Sequence, residues 1–252
     1  MMHWKGGVPR ALSPFFCPHG MVLSMTPQRI HVGRARSPVV IVDDATGDWH
    51  GAASIAAALA PFPPARGTYY PGLRRIIADD DAAAMAYVVA LLEAAARFIA
   101  GGFDADRFDL VEASFSIVTT PPAALTAAQR VPHFDSTDPR YIAVLHYLSA
   151  TPATGTAFYR QRSTGIERVD RITVDRFIAA ARAETARPNA PAGYIAASND
   201  DYEQIGAVEG LPDRLLIYQG ALLHSGIIPA DMPLSADPAI GRLTANLFIQ
   251  LH

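Results

Sequence analysis

The sequence predicts an α+β chain that is mainly β, with N-terminal helices flanking an antiparallel barrel or jelly roll. Three observations carry that prediction. Apolar residues at helical spacing dominate the N-terminal half, while short β-branched and aromatic runs recur from Asp109 onward. No repeat, linker or shift in composition divides the 252 residues, so residues 25–252 are expected to form a single domain with its core over 110–252.

Taken in order, residues 38–43 read as a buried strand that Asp43-Asp44 ends. Asp48 is placed to cap a short helix through Ala60, which Pro61, Pro63 and Pro64 stop. Residues 67–72, Gly-Thr-Tyr-Tyr-Pro-Gly, form a turn-rich loop. The clearest helix starts at Asp79-Asp80-Asp81, runs through Ile99 and is expected to stop at Gly101-Gly102. Met85, Val88, Val89, Leu92, Ala96 and Ile99 put an apolar face on it that should pack on a sheet. Strands are then predicted at 110–119, 141–148, 155–160, 203–208, 214–219 and 243–251, with an inserted helix at 174–184.

Half of the residues are hydrophobic, enough for a substantial core, and the net charge of −3 is spread along the chain. Without a basic stripe or polybasic cluster, neither a nucleic acid nor an anionic membrane surface is expected as a partner. A single cysteine, Cys17, excludes an internal disulfide framework and a cysteine-based zinc site. It fits a soluble protein of the reducing cytoplasm. Residues 1–24 contain apolar stretches broken by Pro14, Pro18 and Gly20, not a signal-peptide core. They read as an N-terminal extension or disordered arm, with Met25 a candidate start.

The chemistry-bearing residues are sparse. On an extended segment His133 and Asp135 project to the same side. With His224 they offer two nitrogens and one carboxylate to one face of a metal, leaving positions open, as in non-haem Fe(II) oxygenases. Arg242 and Thr244, on one strand face, offer a cation and a hydroxyl to a carboxylate. Each residue also has a plainer reading. His133 would be a loop residue after Pro132, Asp135 a turn former, His224 a partly buried histidine, and Arg242 the partner of an internal Asp or Glu.

The order of these elements is more telling than any one of them. His133-Phe134-Asp135 is followed by residues 142–149, then Gly155-Thr156-Ala157-Phe158-Tyr159, His224-Ser225-Gly226 and Arg242-Leu243-Thr244. This order resembles the catalytic core of the 2-oxoglutarate- and Fe(II)-dependent oxygenases, in the prolyl-4-hydroxylase-like branch. It is also similar to a little-characterised bacterial family in that neighbourhood, through Tyr70-Pro71-Gly72, Pro132-His133-Phe134-Asp135 and His224-Ser225-Gly226. The resemblance covers residues 110–252, with a weaker match over 39–72.

The resemblance implies a double-stranded β-helix, a jelly-roll or cupin-like barrel, with His133, Asp135 and His224 as iron ligands. Arg242 would pair with the distal carboxylate of the co-substrate 2-oxoglutarate, with Thr244 as a second donor. Tyr147 either reaches the same carboxylate or packs in the sheet, and His146, facing the other way, is scaffold. The activity implied is a dioxygenase that hydroxylates an amino-acid, peptide or small natural-product substrate. A non-catalytic metal- or ligand-binding barrel and a cupin-type metal enzyme without 2-oxoglutarate are the alternatives.

Three departures from the pattern bear on the mouth of the site. His224 and Arg242 are 18 positions apart, His133 and His224 are 91 apart, and Thr154 replaces the first of a usual glycine pair before Gly155. Residues 168–201 and 229–240 are therefore read as insertions. Tyr69, Tyr70, Tyr159, Arg160 and Arg162 are candidates for the pocket rim. The two arginines would face an anionic or peptide substrate or form a solvated edge, and Tyr70-Pro71-Gly72 is a lid or a turn.

Overall fold

The computed structural model describes residues 27–65, 69–149 and 153–252. The expected extension at 1–24, Cys17, Met25 and the Gly67-Thr68 part of the predicted loop lie outside the described residues. In chain order the N-terminal elements are β1 (Pro27–Val32), β2 (Ser37–Val42), α1 (Trp49–Ala58), β3 (Gly72–Ile76), α2 (Ala82–Phe103) and β4 (Phe108–Val118). They are followed by β5 (Tyr141–Ser149), β6 (Gly155–Gln161), α3 (Val174–Thr185), β7 (Tyr202–Glu209), β8 (Leu215–Gln219), β9 (His224–Ile227) and β10 (Leu243–Leu251).

Mainly β, these described residues form two antiparallel sheets. The large one has the order β1-β2-β8-β5-β10-β4-β3 and the small one β7-β6-β9. Alternation along the central strands sorts side chains between two interiors, because successive residues of a strand face opposite ways. On β5, Ile142, Val144 and Leu148 pack toward the helices, while Ala143, Leu145 and Tyr147 point between the sheets. β10 does the same, with Leu243, Ala245, Leu247 and Ile249 on the helix side and Thr244, Asn246 and Phe248 lining a cavity between the sheets.

α2, 22 residues long, has the length and composition to cross a membrane. Its Val88, Leu91, Leu92, Ala95 and Ile99 are instead buried against the large sheet. α1 begins as expected, Asp48 accepting from the Gly51 N–H at 2.9 Å, and ends two residues early at Ala58.

Several expectations are corrected. α2 does not stop at Gly101-Gly102 but continues to Phe103, and Asp104 provides the left-handed cap at φ 53°. Gly102 instead serves close packing: a Cβ there would lie 2.6 Å from Val40 Cγ2. Asp81 does not cap the helix with its side chain, which accepts from the Ala78 N–H and from Arg75. β1 and β3, absent from the expectation, are sheet edges whose polar residues (Gln28, Arg29, Arg74, Arg75) hide any alternation.

Both insertions have defined places. Residues 168–201 hold α3, and Phe177 and Ile195 cover the outer face of the small sheet over Ala157, Tyr159, Tyr202 and Leu223. Residues 229–240 form turns, with the Ile240 and Gly241 N–H groups donating to Asp237 O at 3.1 and 2.8 Å. Gly241 fits there because a Cβ would meet Ser235 O at 2.6 Å. The excursion then feeds Arg242 directly into β10.

Candidate metal centre

His133 and His224 are directly opposite one another. Each backbone N–H donates to the other's carbonyl at 2.9 Å, an isolated antiparallel bridge on the free side of β9. The expected strand around His133 is reduced to this bridge. In such a pair the two side chains emerge on the same side, and the imidazole centroids are 4.3 Å apart. Two residues on, the Asp135 N–H donates to Gly220 O at 2.7 Å, which turns the carboxylate toward the histidines. One ligand atom from each of His133, Asp135 and His224 lies within 4.8 Å of the others.

The protonation pattern suits a cation. His224 Nδ1–H donates to Leu222 O at 2.8 Å, so Nε2 keeps its lone pair, 3.6 Å from Asp135 Oδ2. Burial, with a second imidazole beside it, holds His133 well below the usual histidine range, which suits a neutral ligand. Burial also raises Asp135, against the pull of His224 and Arg74, and its Oδ2 has no hydrogen-bond partner. A buried carboxylate oxygen without a donor, facing two imidazoles, is what a bound cation would satisfy.

The same cavity, of about 460 Å³, is lined at another part of its wall by Arg242 and Thr244. Arg242 is 8% exposed, and Nη2 donates to Gly155 O at 3.1 Å while Nε has no partner. Among the described residues no carboxylate pairs with it, so the reading of Arg242 as half of an internal ion pair is set aside. Gly155 belongs at this spot because a Cβ would lie 2.1 Å from Val208 O.

Tyr147 is one layer back. Its hydroxyl shares a 2.7 Å hydrogen bond with Thr156 Oγ1, its ring lies 5.6 Å from the Arg242 guanidinium carbon, and Thr156 rather than Tyr147 lines the cavity. His146 faces the helices, bonded to Tyr87 and Asp213, as its scaffold assignment requires.

The rim expectations divide. Tyr69 and Tyr70 line the cavity, whereas Tyr159, Arg160 and Arg162 do not. Tyr159 is buried under the insertion, its hydroxyl bonded to Ile195 O. Arg160 pairs with Glu167 and Glu203, and Arg162 lies near Glu203, so both are spent on carboxylates outside the cavity. Arg74, Ser116, Tyr194 and Tyr218 are among the lining residues that the sequence did not point to. Tyr218 shares its strand face with the buried Leu216 and packs edge-on to His224 at 4.8 Å, a position its parity on β8 makes readable. Tyr194 sits in a Pro- and Gly-containing loop that carries no periodic signal.

No curated protein matches the chain by sequence. Among solved structures, the fold is similar to SnoN, described as a non-heme alpha-ketoglutarate-dependent epimerase from nogalamycin biosynthesis. Its complex with Fe3+, alpha-ketoglutarate and nogalamycin RO superposes with a TM-score of 0.51 at 13% identity, covering 86% of this chain and 80% of that one. HygX from Streptomyces hygroscopicus with iron bound has a TM-score of 0.47 at 13% identity, over 85% and 82% of the two chains. A Pseudomonas putida prolyl-4-hydroxylase has 0.42 at 16% identity, over 90% and 92%. At these identities the likeness is one of fold. Sequence, by contrast, matches a family model over residues 23–249. The chain therefore belongs to DUF6445, a family of unknown function.

Proposed function

We propose that this protein is a non-haem Fe(II)- and 2-oxoglutarate-dependent dioxygenase built on a double-stranded β-helix. The path of the chain supports the fold. From β4 it crosses between the sheets at every step but one, β6 to β7, which pair within the small sheet, so that β4-β10-β5-β8 in the large sheet face the His133 segment-β9-β6-β7 in the small one. The likeness to SnoN agrees with that path.

One observation carries the functional reading: the cavity that holds His133, Asp135 and His224 also holds a buried guanidinium that no carboxylate pairs with among the described residues. A cupin-type metal enzyme without 2-oxoglutarate has no use for Arg242, whereas a 2-oxo dicarboxylic acid would bring the carboxylate it lacks. In this reading His133, Asp135 and His224 hold Fe(II), and Arg242 with Thr244 binds the distal carboxylate. Tyr147 braces the Arg242 guanidinium with its ring. With both groups bound, the site would supply O2-dependent oxidation of a substrate C–H bond, coupled to decarboxylation of the co-substrate. The chain's own part is to orient these groups and exclude water. Tyr218 packs edge-on against one side of His224.

A shared cavity of about 460 Å³ leaves room for a small substrate, an amino-acid side chain or part of a natural product. The lone cysteine accords with a reducing, cytoplasmic setting that would keep iron ferrous. Replacing Arg242 by Ala tests the reading. Affinity for 2-oxoglutarate should fall on the order of 100-fold while Fe(II) affinity is kept, in line with truncating one side of a buried charge pair. Equal 2-oxoglutarate affinity in the variant would remove Arg242 from the site.

A further inference from the structure

Three segments outside the central strands meet over Arg242. Pro71 O accepts from the Thr119 and Thr120 N–H groups at 3.3 and 3.2 Å. Tyr70, one residue earlier, enters the cavity, and its buried hydroxyl lies beside Thr244 and Arg242. Gln129 Nε2 donates to the Tyr70 carbonyl at 3.4 Å and steadies this turn. From the other side comes Tyr194, carried by the insertion between β6 and β7, whose hydroxyl donates to Thr120 O at 2.7 Å. Thr120 is thus held from both sides, and the two phenols share the roof of the Arg242 end of the cavity. Burial pushes Tyr70 well above the ordinary phenol range against the pull of Arg242, so it remains a neutral O–H at physiological pH.

The donors at this end do not balance within the protein. Arg242 commits Nη2 to Gly155 O and leaves Nε without a partner, while Thr244 and Tyr70 present hydroxyls to each other. A carboxylate offers roughly four lone-pair sites. The Arg242 guanidinium, Thr244 and Tyr70 could all serve them, each hydroxyl turning its proton outward.

We propose that Tyr70 is a third ligand of the co-substrate's distal carboxylate, and that Tyr194 positions it by clamping the Pro71–Thr120 roof. This assignment rests on the oxygenase reading above. It gives the 168–201 insertion a task beyond covering the small sheet: it returns Tyr194 to the co-substrate end. Tyr70-Pro71-Gly72 is then both things the sequence allowed, a turn whose first residue is part of a lid.

The test is calorimetric titration of the Mn(II)-loaded full-length protein with 2-oxoglutarate and with 2-oxovalerate, which has the same carbon chain without the distal carboxylate. Tyr70→Phe keeps the ring and should weaken 2-oxoglutarate about 10-fold, the size of one hydrogen bond to a charged group. Its affinities for Mn(II) and 2-oxovalerate should match the wild type. Tyr194→Phe should show a smaller loss, again for 2-oxoglutarate only. Unchanged or tighter 2-oxoglutarate binding by Tyr70→Phe, an equal loss for both 2-oxo acids, or a loss of Mn(II) affinity would each overturn the assignment. A wild-type protein that binds Mn(II) but neither 2-oxo acid would overturn the oxygenase reading itself, and the assignment with it.

Discussion

His146 and Tyr147 are neighbours on β5 that face opposite sides of the large sheet, and the buried polar groups on those two sides are treated in opposite ways. On the helix side, His146 Nε2–H donates to Asp213 at 2.9 Å, which leaves Nδ1 to accept from the Tyr87 hydroxyl at 2.8 Å. Asp213 also accepts from the Thr46 N–H, the Thr46 hydroxyl and the Gly47 N–H. Burial alone would raise that carboxyl, but these bonds outweigh it and hold it below its ordinary value. On the cavity side, Asp135 Oδ2, Ser116 Oγ and Arg242 Nε are buried with no partner. Ser37 Oγ, away from the cavity, is orphaned too, so one such atom does not make a site. Three of them around one cavity do, because an unmet buried polar group costs free energy that a ligand can return.

The lesson is that a satisfied buried network is scaffold and an unsatisfied one is a binding site, and each half of that comparison can be broken separately. The largest effect is expected at Asp213. Replacing it by Ala strands the donors of four groups, and should cost about 3 kcal/mol of stability in urea unfolding, while metal affinity per folded molecule is kept. Asp135→Asn should do the reverse. Metal affinity should drop on the order of 100-fold, the upper end of what loss of a supporting outer partner costs, and the unfolding midpoint of the metal-free protein should not fall. If Asp135→Asn unfolds like Asp213→Ala, the cavity side is scaffold as well.

The depressed Asp213 carboxyl gives a smaller, pH-dependent effect. Its stabilisation is present above the unfolded value, near 3.8, and is lost as pH falls through the lower folded value. The stability gap between wild type and Asp213→Asn should therefore be constant near neutrality and shrink below about pH 4. A gap independent of pH down to 2 would mean the carboxylate charge is not what the network uses. Smallest of all is Arg160→Ala: its ion pairs lie outside the cavity, so neither Fe(II) nor 2-oxoglutarate affinity should move in a binding titration.

This division also explains what could be read from the chain. β10 matches its expected span of 243–251, and β5 and β8 are each one residue away, because their alternation separates a helix side from a cavity side. His133, Asp135, His224, Arg242 and Thr244 were readable for a related reason: in register, such residues share a face, and the structure does bring all five to one cavity. β1 and β3 were not readable, since an edge strand needs no apolar face. Gly101-Gly102 looked like a stop because glycine usually ends a helix, yet here Gly102 lets the helix lie close to Val40. Tyr194 and Ser116 depended on distant partners, a loop closing on Thr120 and a strand register beside Thr244, that no local pattern encodes.

The central claim is that one cavity binds metal and a 2-oxo dicarboxylic acid together. It is tested most directly by anaerobic titration of the metal-free protein with Fe(II) and then 2-oxoglutarate, watching for a metal-to-ligand charge-transfer band. The account predicts a saturable band that is absent in Asp135→Asn and needs far more 2-oxoglutarate in Arg242→Ala. Stoichiometric Fe(II) binding with no band at saturating 2-oxoglutarate would contradict it.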